Sequence, residues 1–291
     1  MRTAFGIAIG IAALMTVAQA QNNGQARGNA QARPNAQARN DIPHINPGSP
    51  TVPDAEIDSH PIPRMPDGHP DLTGPWVGGG SNGDIEREGG LKPGELPLQQ
   101  WAKDLRDKRL EKDEPYTACL PMSVPRVNPY PWKFVYNYES TGLTHIYILH
   151  ETGDAGAHRV VYMDGRPHPK NLVPTWWGHS VGHWEGDTLV IDTVGYNDKF
   201  WFDSRGTPHT EQLHTIERWT RTHWGRIEDD FTLEDPGALT KPVKLHFTGR
   251  LLRPNPRTGE PADLMEFICL EDNEYGSAAK INVGTGTDGK Q

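Results

Sequence analysis

The chain has 291 residues, with 29 basic and 38 acidic side chains and a formal charge of −9. Four of the basic residues and none of the acidic ones precede residue 41, so the remainder carries 25 against 38, or −13. An acidic body repels phosphate backbones and anionic lipid, which excludes nucleic acid as a partner.

Residues 1–20 read as a secretory signal peptide: Arg2, an apolar run over 4–17 and a small-x-small end at Ala18-Gln19-Ala20. The run is too short for a stable span, and no other apolar run nears about 18 residues, so an integral membrane protein is not expected. The localisation implied is secreted, in the periplasm. Residues 21–40 repeat N-x-Q-A-R with a six-residue step from Asn23, Asn29 and Asn35. The repeat holds no aromatic or β-branched side chain and cannot offset its ordering entropy, so it is expected to be disordered. A Pro-rich extended linker continues to 71, and the folded domain is placed at 72–291.

Within that domain period-two runs dominate. They fall at 132–140, 144–151, 158–165, 188–195, 213–222, 226–235, 243–251 and 264–271, with a further run at 179–184. Tight turns are expected at Ser140-Thr141-Gly142, Glu185-Gly186-Asp187 and His223-Trp224-Gly225. One amphipathic helix is expected over 97–114, with Leu98, Trp101, Leu105 and Leu110 on its apolar stripe. The fold class is all-β, an antiparallel meander closing into a barrel. Cys119 and Cys269 form an even pair in an oxidising compartment and are expected as a disulfide bond.

GHSVG (178–182) matches G-x-S-x-G, the nucleophile elbow of serine hydrolases. An elbow needs a strand before the serine and a helix after it. Here the following HWEGDTLVID reads as strand, turn and strand, so Ser180 is expected in a hairpin. Thirteen histidines raise the question of a metal. His179 and His183, four apart on one strand, would stand about 13 Å apart at roughly 3.3 Å per residue, too far to share an ion. A divalent metal would therefore have to be gathered from separate strands, with His145, His179, His209 and His214 as the set. A metal-free alternative pairs His179 as base with Asp192 and Glu217, carboxylates within apolar strands. Trp176, Trp177, Trp184, His145, Tyr147 and His214 are candidates to line a ligand pocket.

Gly74-Pro75-Trp76, heading the first strand, resembles the G-x-W signature of the lipocalin and calycin barrels. That resemblance implies a calycin-like barrel whose Trp plugs the closed end beside a late-strand arginine, Arg250 or Arg253. CLPMSVPR (119–126), YMDGRPHP (162–169), GHSVGHWEGDTLVIDTVGYND (178–198), HTEQLHTIERW (209–219) and FICLEDN (267–273) are similar to a family of uncharacterised secreted bacterial proteins. The functional expectation is binding of a small ring-bearing or sugar-like molecule in a His/Trp-lined pocket. The alternatives are a hydrolase or lyase, and a structural component of the envelope tethered by the repeated tail.

Overall fold

The computed structural model describes residues 50–152, 158–254, 259–265 and 269. The expected signal peptide and repeat lie outside the described residues. Nine strands close into a barrel in sequence order. They are β1 (Trp76–Gly78), β2 (Trp132–Glu139), β3 (Gly142–His150), β4 (His158–Tyr162), β5 (His179–Glu185), β6 (Thr188–Val194), β7 (His214–His223), β8 (Arg226–Glu234) and β9 (Val243–Leu251). Pairing Trp76 to Leu251 and Gly78 to Gly249 joins β1 to β9 and removes the free edges.

The meander has one departure. β4 and β5 run parallel, with Val161 opposite Ser180 and Tyr162 opposite Val181. A parallel pair needs a crossover, and residues 163–178 supply it. Asp164-Gly165, a pair whose chemistry favours a hairpin turn, therefore opens a long crossing loop. The three tight turns are present, closed by the pairs Glu139–Gly142, Glu185–Thr188 and His223–Arg226. Ser180 lies within β5, and its strand leads through Gly186 into β6, so the G-x-S-x-G match forms no elbow.

Strand alternation sorts the side chains into an inner and an outer set. Inward, Trp76, Trp132, Phe134, Ile146, Ile191, Trp219 and Ile227 build one apolar cluster. A second joins Phe231, Leu233, Leu245 and Phe247 to Ile85, Leu96, Leu98 and Ala102 from the segment between β1 and β2, which packs over one end. The Trp76 indole donates to Leu72 O at 2.7 Å and carries a guanidinium 5.0 Å above its ring. That guanidinium belongs to Arg221 of β7, which also donates to Asp71 O and Trp224 O. Arg250 is committed instead to Asp54 and Val52 O, and Arg253 to Glu56.

Other expectations change. The helix spans only Gln100–Lys108 (α2), preceded by a short α1, Ile85–Glu88. Leu98 bridges Leu239 in extended backbone, and beyond Lys108 the chain turns extended at Arg109, leaving Leu110 half exposed. The stripe is thus split, with Trp101 and Leu105 on α2, Leu98 before it and Leu110 after it. The Pro-rich linker is laid against the barrel from Pro50 on: Val52 donates to Leu251 O at 2.9 Å, and Val52 and Ile57 are buried. Leu264, Met265 and Cys269 lie in no strand, and the other residues between 266 and 271 fall outside the described ones. Cys119 and Cys269 are joined, 5.7 Å apart at Cα and 150 residues apart in sequence. Such a bond points to a compartment outside the cytoplasm. Among the described residues no helix is long and apolar enough to cross a membrane.

Candidate active site on the outer face

Asp192 is the centre. Its neighbours Ile191 and Thr193 are fully buried, so Asp192 faces outward from β6. The same alternation buries Ser180 and Thr215 and turns His179 of β5 and His214 of β7 outward. His168 reaches this face from the crossing loop. That loop is fixed at its start by Met163 N donating to Thr144 O at 2.9 Å. Its end is fixed by the bridge between Thr175 and Tyr196. Gly178, at φ +63°, makes the last bend into β5; a Cβ there would sit 2.7 Å from Val194 O.

These side chains form a continuous hydrogen-bonded relay. Glu234 Oε2 meets His214 Nδ1 at 3.0 Å, and His214 Nε2 meets Asp192 Oδ1 at 3.0 Å. The same Asp192 oxygen meets His168 Nε2 at 2.9 Å, and His168 Nδ1 meets His179 Nδ1 at 2.9 Å. Donor and acceptor roles follow from the ends. A carboxylate accepts, so His168 donates through Nε2. With one proton on that ring, its Nδ1 accepts from His179 Nδ1–H. The lone pair of His179 then lies at Nε2. His214 lies between two carboxylates and donates through both nitrogens, as an imidazolium.

The electrostatics agree. Hydrogen bonding to Asp192 leads the effects that raise the His214 pKa, with Glu234 adding to it. Burial works to raise Asp192, but hydrogen bonds from His214 and His168 outweigh it and hold the carboxylate below its usual range. Desolvation lowers His179, helped by the nearby His168 and Arg166. The site is partly open, with His168, Asp192 and His214 side chains 23%, 35% and 28% exposed.

An aromatic row adjoins the free end of the relay. Tyr162 stacks on His179 at 5.0 Å, His145 meets Tyr162 at 5.2 Å, and Tyr147 stacks beside His145 at 6.1 Å. The Arg166 guanidinium lies 4.1 Å over Tyr162 and is held by Asp164. A ring-bearing molecule laid on this row would bring its substituents to His179.

The fold therefore gathers His145, Tyr147, His179, Asp192 and His214, but on the outer face and not in a lumen. It separates the other candidates. Glu217 is inside, paired to Arg159 Nη2 at 2.7 Å with both side chains buried. His209 is buried between Phe200 and Phe202, at 3.9 and 4.9 Å, and desolvation lowers its pKa to about 4. Trp177 stacks on His150 and Trp184 on His69, while Trp176 packs with the capped end of the core. Trp176 and Trp177 pack against the same apolar cluster, whereas Trp184 packs against the other. Among the described residues no group of three or more His, Cys, Asp and Glu side chains is arranged to hold a metal. The set His145, His179, His209 and His214 is not assembled, since His209 lies in the core and His179 and His214 are bonded through the relay. His168 and Glu234 are the members that sequence reasoning missed. Pairing His214 with Glu234 required the β7–β8 register, and His168 arrives by a crossover that no local signal announces.

No family model matches this chain, no curated protein matches it, and no solved structure matches it.

Proposed function

We propose that this protein is an enzyme acting on a small ring-bearing molecule by general acid–base catalysis, with His179 as the base. The observation that carries the reading is the unbroken relay from Glu234 through His214, Asp192 and His168 to His179, which leaves Nε2 of His179 as its free terminus. When Nε2 takes a proton from substrate or from water, the His179 Nδ1 proton can pass to His168. The new positive charge then rests beside the Asp192 carboxylate, where it is stabilised without solvent reorganisation. His214 holds Asp192 in place and limits its negative charge. The aromatic row supplies the binding face, and the charged Arg166 at its edge suits an electron-rich substituent. The reaction class proposed is hydrolysis or elimination. The compartment proposed is the periplasm, supported by the signal-like residues 1–20 and by the disulfide.

The test is turnover of chromogenic ring-bearing substrates, nitrophenyl esters, phosphates and glycosides, by the mature protein beside His179→Gln and Asp192→Asn. One class should be turned over, with the rate falling about 100-fold or more in His179→Gln and about tenfold in Asp192→Asn, both variants staying folded. Wild-type turnover no faster than that of His179→Gln in every class would remove the reading. Binding without turnover is the second reading, favoured by the aromatic row alone. It predicts saturable ligand protection that His179→Gln leaves intact.

A further inference from the structure

Behind the relay, on the inner side of the same strands, lies a charged group that the outer site does not use. Arg159 of β4 is 1% exposed. Its Nε donates to Ser180 Oγ at 2.9 Å and its Nη2 to Thr193 Oγ1 at 3.1 Å, and Nη2 lies 2.7 Å from Glu217 Oε1 in an ion pair. Its Nη1 is buried and meets no acceptor among the described residues. His150, the last residue of β3, is buried with neither ring nitrogen bonded. Trp177 stacks on His150 at 5.4 Å and 8°, with its Nε1 buried and unbonded. Asp229 of β8 is fully buried; its Oδ1 accepts from Arg218 N at 2.9 Å, while its Oδ2 meets nothing.

Native interiors leave few polar atoms unbonded, because an unmade bond there is costly. Here such atoms collect around one ion pair, His150 within electrostatic reach of Arg159 and Asp229 within reach of Glu217 and Arg159. Burial, reinforced by Arg159, lowers His150 to about 3, so its ring is neutral. Burial, reinforced by Glu217, raises Asp229 well above the usual carboxylate range. Trp177 is the only one of the four that is partly exposed, which places the way in at the end of the crossing loop.

We propose that the barrel interior at Arg159, His150, Trp177 and Asp229 is a second binding site, for a small neutral oxygen-rich ring such as a sugar or cyclic polyol. Charge selects the class. Arg159 is already balanced by Glu217, and burial disfavours charge at His150 and Asp229, so an anion or cation would be buried without a counter-charge. The unbonded atoms select the chemistry. Arg159 Nη1 and Trp177 Nε1 offer protons, His150 offers one proton and one lone pair, and Asp229 adds its unbonded Oδ2. A guest must present several oxygen acceptors and at least one hydroxyl. The exposed part of the Trp177 ring suits the apolar face of such a ring.

The experiment is thermal unfolding of the mature protein with D-glucose, D-galactose, myo-inositol, acetate and benzoate as probes, beside His150→Phe and Trp177→Phe. Phe at 150 keeps the stack and removes both nitrogens; Phe at 177 keeps a ring and removes the N–H near the surface, where folding tolerates it. At least one neutral probe should raise the wild-type Tm saturably, with about tenfold weaker apparent affinity in either variant. Without probe, His150→Phe should melt no lower than wild type. The assignment is overturned if no neutral probe protects, if protection is equal in the variants, or if only acetate or benzoate protects. It is also overturned if His150→Phe alone melts far lower, since its nitrogens would then be satisfied by buried water. The outer relay is untouched by either variant, so failure here leaves the acid–base reading standing.

Discussion

Two polar groups occupy opposite faces of the same strands, one residue out of step. His179 and Asp192 face outward, and their neighbours Ser180 and Thr193 face inward to Arg159. On the outer face every relay nitrogen except His179 Nε2 has a partner, and the side chains stay partly exposed. On the inner face burial is nearly complete, and atoms on Arg159, His150 and Asp229 lack partners. The difference separates proton chemistry from recognition. Hydrogen-bonded partners set the shifts in the partly solvated relay, raising His214 and lowering Asp192, whereas burial lowers His150 to about 3 and raises Asp229.

The largest effect expected is on stability and belongs to the inner face. Arg159→Met leaves Glu217 buried without its partner and should cost about 3–5 kcal/mol by chemical denaturation. Adding Glu217→Leu should restore much of it. Asp192→Asn, on the partly exposed face, should cost under about 1 kcal/mol. Equal losses for the two single variants would erase the distinction between the faces.

Next is a difference in pH response. His214 has a raised pKa in the folded protein, so its contribution is complete below the ordinary histidine value of 6.5 and is lost as pH rises through the folded value. His214→Gln should flatten the decline in Tm that begins near pH 6.5. Asp229 responds with the opposite chemistry. Its raised pKa means that the unfolded chain ionises above pH 3.8 while the folded one resists, so stability is lost as pH rises from there. Asp229→Asn, which keeps an acceptor for Arg218 N, should raise Tm by a few degrees at neutral pH and by nothing below pH 3.8. Melting curves across pH for both variants check the signs.

The smallest effect concerns the aromatic row. His145→Ala should weaken substrate binding by roughly threefold to tenfold through KM, leaving kcat nearly unchanged, since His145 touches Tyr162 and not the relay. An equal fall in kcat would place His145 in the proton path.

The barrel was legible because alternation, glycine turns and β-branched runs agree along most strands. Gly186 and the paired ends Glu185 and Thr188 are one case. The faces were less legible. TLVIDTV carries apolar residues on both sides, with Val190 as well as Leu189 and Ile191 buried, so its pattern does not say that Asp192 points out. A one-residue choice exchanges lumen for surface, so the strand pattern alone does not choose between a lumenal pocket and an outer relay. His168 was hidden for another reason: its place depends on a parallel crossover, a long-range property that Asp164-Gly165 locally disguises as a turn.

The most direct measurement is long-range 15N–1H NMR of the histidine rings in the mature protein at neutral pH, with His179→Gln and His214→Gln for assignment. The relay predicts a proton on Nδ1 and a lone pair on Nε2 of His179, and protons on both nitrogens of His214. A proton on Nε2 of His179, or a singly protonated His214, would contradict it.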